Sequence, residues 1–418
     1  MEPAETPLLG RKGNRMDQPE SGGPGISTRA IQGAGHRDDA RAGIPVSPPI
    51  VQSSTFSFDS PEEMIDVFEG RRDGYVYSRY DNPTIHHVEQ KLASLEKGDF
   101  ALLFSSGLAA IHAVLWGTLK SGDRLLAAQD LYGGTVDLMA RILPRLGVNF
   151  ESANLADAAA LDAALERSPA VVYFETPTNP LVRLIDGPRT VARARAAGAR
   201  VVIDNTFATP VLQNPIDWGA DIIIHSATKY LGGHSDVVLG VAIGHAKDWE
   251  WMEKCRRSFG GSPDPFAAWL LNRGLATLAI RIRAQCTTAG ILARGLIRRG
   301  GVRDVYYPGL EGDPAHEIAS RQMRGFGGML AIDLDGGREG ALEFMRRLRL
   351  FRLATSLGGV ESLVSHPATS SHRMLSAKER DILRIGEGLV RLSIGLEDAE
   401  DLVEDINRAL PVKRTPRS

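Results

Sequence analysis

A chain of 418 residues is longer than one hydrophobic core ordinarily fills, so two or more packed units are expected. Its 43% hydrophobic and 24% charged residues exclude a disordered or fibrous protein. With 49 Lys+Arg against 51 Asp+Glu, no global field draws the chain to nucleic acid or an anionic membrane, and a small-molecule partner is the better expectation.

Residues 1–27 are rich in Gly, Pro and charge, with too few apolar residues to offset ordering entropy, and read as a disordered tail in which Met16 is a second possible start. From about residue 75 to 240, short apolar runs alternate with helical patterns. Strands are expected at 101–104, 124–127, 170–174, 200–203, 222–225 and 238–243, with helices over 85–95, 107–119, 136–146, 157–165 and 190–197. This is the pattern of an α/β fold whose mostly parallel central sheet is flanked by crossover helices. Right-handed crossovers bring the strand ends to one edge of the sheet, where ligands of open α/β folds bind.

A helix is expected over 265–299, then strands at 327–334 and 390–394 and helices over 340–348 and 399–410, which together make a smaller α+β C-terminal domain. The expected division is 76–275 for the large domain and 276–418 for the small one. Cys255 and Cys286 both fall in helical patterns, and two isolated thiols give neither a metal-ligand set nor a disulfide framework. No apolar run approaches the roughly 20 residues that cross a bilayer, and no leader pattern opens the chain, so no membrane partner and a cytoplasmic location are expected.

Chemistry concentrates in six places. Ser226-Ala227-Thr228-Lys229 follows an apolar strand, and a lysine beside hydroxyls and glycines suits a Schiff-base amine near a bound phosphate, although alone it reads as a solvated turn lysine. Asp204 ends a β-branched run, where a buried carboxylate needs a cation such as the protonated pyridine nitrogen of pyridoxal phosphate; the alternative is a turn or cap. Ser106-Gly107-Leu108 joins a strand to a helix start and can offer free amides to an anion. Tyr132 stands in a glycine turn, where its ring could stack on a flat ligand or simply pack. Asn179 lies in Glu175-Thr176-Pro177-Thr178-Asn179-Pro180, stiffened by two prolines. Arg391 sits in a strand and, if internal, needs a carboxylate; an edge-strand ion pair is the alternative.

Taken in order, the blocks YSRYDNPT, LYGGT, ETPTNP, SATKYLGGHSD, SLGGVESLVSHP and GLVRLSIGLED resemble the Cys/Met-metabolism family of fold-type I enzymes that use pyridoxal 5'-phosphate. The resemblance runs from about Ser27 to Pro411. It implies that Lys229 is the Schiff-base and proton-shuttling lysine, that Asp204 pairs with the pyridine nitrogen, and that Tyr132 stacks and acts as acid or base. It further implies that Gly107, Leu108, Ser226 and Thr228 hold the phosphate, and that Asn179, Arg391 and Ser356 orient the substrate carboxylate and a cofactor oxygen. Tyr77 and Arg79 are similar to a pair that completes the phosphate site of a neighbouring subunit. An arm over 28–75 contacting that subunit, and a homo-oligomer built as a dimer of dimers, follow from the same resemblance. The implied reaction is γ-elimination or γ-replacement on a homoserine-, homocysteine- or cystathionine-type amino acid, through a vinylglycine-type intermediate.

Four positions depart from or divide the family pattern. Gly134 stands where methionine γ-lyases carry Cys, Leu357 where bacterial β-lyases often carry Trp, and Asp137 and Thr355 where γ-type cystathionine enzymes carry Arg and Glu. Asp137 would favour a cationic distal group on the substrate, unless it only decorates a helix start. An O-acylhomoserine sulfhydrylase, a β-lyase and a γ-lyase for a cationic γ-substituted amino acid remain as alternatives; an aminotransferase or an inactive homologue fits the blocks less well.

Overall fold

Near-continuous apolar runs such as Ile222-Ile223-Ile224 can only be covered on both faces, which demands a central sheet under two layers of helix. The computed structural model describes residues 24–33 and 45–410 and has this arrangement. Seven strands, β1 (Phe100–Phe104), β2 (Arg124–Ala128), β3 (Asn149–Ala153), β4 (Val171–Glu175), β5 (Arg200–Asp204), β6 (Ile222–Ser226) and β7 (Gly240–Gly244), lie in the order β1-β7-β6-β5-β4-β2-β3. Only β7 runs against its neighbours; the other pairings are parallel. A second sheet, ordered β10-β11-β12-β9-β8, contains β8 (Val302–Tyr306), β9 (Met329–Leu334), β10 (Arg352–Leu353), β11 (Leu363–Ser365) and β12 (Leu389–Ser393).

Each sheet has its own apolar core, and the helix Leu278–Leu296 threads both. Leu278, Ala279 and Ile282 pack into the first core, whereas Ala289, Leu292, Ala293 and Leu296 pack into the second. The expected helix over 265–299 is therefore two, Pro265–Leu275 and Leu278–Leu296. Thr277 breaks it: its amide and its hydroxyl both turn to the carbonyl of Gly274, an alternative that Ser and Thr offer to regular helix.

The expected helix over 136–146 begins earlier and is irregular. It runs as α-helix over Gly133–Asp137, as π-helix over Leu138–Ile142 and as a 3-10 turn over Leu143–Leu146, where Pro144 removes a donor. Of the expected N-terminal tail, residues 1–23 and Met16 lie outside the described residues, but Ile26–Gln32 is a helix that packs on the helices Pro83–Glu96 and Leu278–Leu296, with Ala30 in the first core. No helix among the described residues is long and apolar enough to cross a membrane.

Candidate active site

The carboxyl ends of β1, β2, β4, β5 and β6 open into one cavity of about 930 Å³, and the second unit closes it with Thr355, Ser356, Leu357, residues 369–371, Arg373, Met374 and Arg391. Twelve of the fourteen residues given a site role from the sequence line this cavity: Gly107, Leu108, Tyr132, Asp137, Asn179, Asp204, Ser226, Thr228, Lys229, Thr355, Ser356 and Arg391.

Lys229 lies three residues beyond β6, and its Nζ donates to Ser356 Oγ at 2.7 Å. Burial, and then the charge of Arg391, lower the amine to about 8, so more of it is the nucleophilic neutral form than in a solvated lysine. Ser356 itself has φ +91, a region that side chains with a Cβ rarely enter and that marks stored strain. Gly358 explains how the loop comes so near: at φ +78, a Cβ there would lie 2.8 Å from Tyr230 N. Only glycine lets this loop rest on Lys229–Tyr230.

The Ser356 carbonyl accepts from Arg391 Nη2 at 2.8 Å, while Arg391 Nη1 donates to Asn179 Oδ1 at 2.9 Å. Arg391 is 5% exposed, its Nε is buried without a partner, and no acid lies within ion-pair distance of it among the described residues. Burial pushes the guanidinium down to about 10. The edge-strand alternative for Arg391 does not hold, because β12 lies between β11 and β9. A buried guanidinium that lines a cavity with no acid paired to it can take a carboxylate.

Asp204 ends β5 in the cavity wall and is partly buried. Its Oδ1 accepts from Thr206 N at 2.9 Å, and no cation pairs with it among the described residues. Burial raises its carboxyl above the ordinary range. Beside it, Glu175 is 5% exposed and accepts from Tyr132 N at 2.8 Å. Burial, and then the charge of Asp204, hold Glu175 well above the carboxylate range, so the pair favours a single negative charge. A cation brought into the cavity would satisfy it, and the pyridinium of pyridoxal phosphate is a cation of that kind.

The opposite rim can take the phosphate. Gly107 and Leu108 are the first residues of the helix Gly107–Thr118, where the amides have no intrahelical acceptor. A Cβ on Gly107 would meet Ser226 at 3.1 Å, so glycine is what lets this helix start and the end of β6 share one concavity. Ser226 Oγ is bonded to no described residue, whereas the Thr228 hydroxyl is already exchanged with the backbone of Leu239. Tyr132 is 47% exposed, and its ring lies across Gly134, where a Cβ would come within 2.6 Å of Cε1.

Tyr77 and Arg79 are not brought to the cavity. The Arg79 guanidinium lies over the rings of Tyr77 and Tyr80 and donates to Arg257 O at 2.8 Å. Several lining residues escaped the sequence reading as site residues: Glu175, Thr206, Phe207, Arg141, Arg373 and Met374. Glu175 sits within a block that had been recognised and Thr206 two residues beyond Asp204, but nothing local marks Arg141 or Arg373.

The class is that of fold-type I enzymes dependent on pyridoxal phosphate: the cavity fits both ends of that cofactor, and residues 27–411 match the family described as Cys/Met metabolism PLP-dependent enzyme. Over 389 residues the chain is 43% identical to a cystathionine beta-lyase of Lactococcus lactis subsp. cremoris, covering 93% of this chain and 99% of that one. It is 41% identical to an L-methionine gamma-lyase of Pseudomonas putida over 93% of this chain and 97% of the relative. A crystal structure of cystathionine gamma synthase from Xanthomonas oryzae pv. oryzae superposes with TM-score 0.88 at 40% identity, over 93% and 98% of the two chains. The chain belongs to the Cys/Met-metabolism family of pyridoxal-phosphate enzymes, and is a carbon-sulfur lyase or γ-replacement enzyme.

Proposed function

We propose that this enzyme carries out γ-elimination or γ-replacement on an amino acid of the homoserine, homocysteine or cystathionine type. One observation carries the reading: Ser356 joins the Lys229 amine, through its hydroxyl, to the Arg391 guanidinium, through its carbonyl. A carboxylate on Arg391 then has its own α-carbon near the amine, and the rest of the cavity remains for a long side chain.

When bound, pyridoxal phosphate supplies an electron sink that makes the protons at Cα and then Cβ of an amino acid acidic. Arg391, steadied by Asn179, holds the α-carboxylate and fixes which bond is labilised. The Lys229 amine, lowered to about 8, is matched to take the Cα proton near neutral pH and to return it. Asp204 would pair with the ring nitrogen, and Tyr132 would stack on the ring with its hydroxyl free to donate to a leaving group. Gly107, Leu108 and Ser226 would hold the phosphate, with the Thr228 hydroxyl already bonded to the backbone of Leu239 beside them. Leu357, 6% exposed, adds an apolar wall and no charge. Tyr77 and Arg79 belong, on this reading, to the phosphate site of a second copy, in a catalytic dimer paired into a tetramer.

Product analysis tests the proposal. Loaded enzyme given cystathionine, homocysteine or an O-acyl-homoserine is expected to release 2-oxobutanoate, or to form a thioether when a thiol is added. Pyruvate as the sole product would assign β-elimination instead.

A further inference from the structure

Resting on the γ-substituted amino-acid reading, we infer that Arg141 and Arg373 form an anion site at the cavity mouth, which selects substrates whose side chain ends in a carboxylate. From the sequence, Asp137 either draws a cationic tail or only decorates its helix start. The structure sets a cation against it: Arg141 Nε lies 3.2 Å from Asp137 Oδ1, one turn along the same irregular helix, and both side chains are about half exposed. Asp137 is therefore neutralised by its own helix.

The second arginine comes from far along the chain. Arg373 lines the same cavity, is exposed, and forms no ion pair among the described residues. Its segment is tied to the helix bearing Asp137 and Arg141, because a Cβ on Gly133 would lie 2.4 Å from Ser371 O. Two guanidiniums and one carboxylate thus share the rim. The deeper charges are engaged elsewhere: Arg391 with Asn179 and Ser356, Lys229 with Ser356, and Asp204 with Glu175 below the ring position. Glu379, whose field also reaches Arg141, keeps its charge but caps its own helix by accepting from Ser376 N at 2.7 Å and does not line the cavity. Among the residues that line the rim, Arg141 and Arg373 against Asp137 leave one positive charge, and Thr355 on the facing loop adds none to offset it.

Two unreactive amino acids separate the possibilities by calorimetry on the loaded enzyme: L-norleucine, with an apolar tail, and L-2-aminosuberate, with a tail carboxylate. Because both arginines are solvated, the expected preference for aminosuberate is only about fivefold at low salt, shrinking as salt is added. Arg141→Gln and Arg373→Gln each should reduce that ratio, and the double variant should bring it near one. Asp137→Asn, which frees Arg141, should raise it. Equal or tighter binding of norleucine, or a lower ratio in Asp137→Asn, would overturn the inference while leaving the γ-reading intact. The γ-reading fails separately, and takes this inference with it, if none of cystathionine, homocysteine, O-acetyl-homoserine and O-succinyl-homoserine yields 2-oxobutanoate or thioether.

Discussion

At the scale of single residues, the site is built from groups that burial has forced into need of a partner. Arg391 is the clearest: its charge is out of solvent, and its Nε has nothing to donate to. Arg391→Lys keeps the charge but loses the planar fork, and is expected to raise KM about 10–100-fold with a smaller change in kcat, read from steady-state kinetics. Lys229 gives a prediction in pH. Its folded pKa of about 8 lies below its ordinary 10.5, so between those values the unfolded chain binds more protons than the folded one, and stability rises with pH. Thermal melts of cofactor-free protein should show that rise relative to Lys229→Met, which lacks the group; parallel curves would contradict it. Lys229, Asp204, Tyr132 and Arg391 could be singled out from the sequence because each lies in a stretch whose residue types fit one chemistry, and the structure brings all four to one cavity. Arg141 and Arg373 could not be, since each becomes a site residue only through the contact of Gly133 with Ser371 across the fold.

Among elements, legibility followed burial. The strands β1, β2, β4, β5 and β6 are apolar runs covered on both faces and were anticipated within a residue or two. The strand β3 (Asn149–Ala153) lies at the sheet edge, with Asn149, Glu151 and Ser152 too polar to read as a core strand. Likewise β8 carries Arg303 and Asp304, and β10 and β11 are too short for any periodicity. The break at Thr277 was also hidden, because a pattern of apolar spacing continues through it. What fixes that region is Gly274, whose missing side chain lets the helix Pro265–Leu275 rest on the loop after Lys229; a Cβ there would lie 2.2 Å from Gly232 O. Gly274→Ala is expected to cost about 1–3 kcal/mol and to weaken cofactor binding, because the backbone of the Lys229 loop must give way. Melting temperature and absorbance titration with pyridoxal phosphate check both effects.

For the whole molecule, the two sheets are bound together by one helix and face each other across one cavity. Lys229 follows the first sheet and Arg391 lies in the second, so the relative placement of the two cores sets the alignment of the amine with the carboxylate anchor proposed for Arg391. Tyr77 and Arg79 lie away from their own cavity, as expected if they serve a second copy. Arg79→Ala should then weaken cofactor affinity about tenfold, while a mixture with a Lys229→Ala partner regains part of the activity through hybrid dimers. The proposed chemistry requires that the enzyme activate the β-carbon as well as the α-carbon of its substrate. Proton NMR of L-norvaline incubated in D2O with the loaded enzyme reads this most directly. The α and β signals should both be lost to exchange, and neither should be lost with Lys229→Ala. Exchange confined to the α position would contradict it and point to β-elimination or transamination.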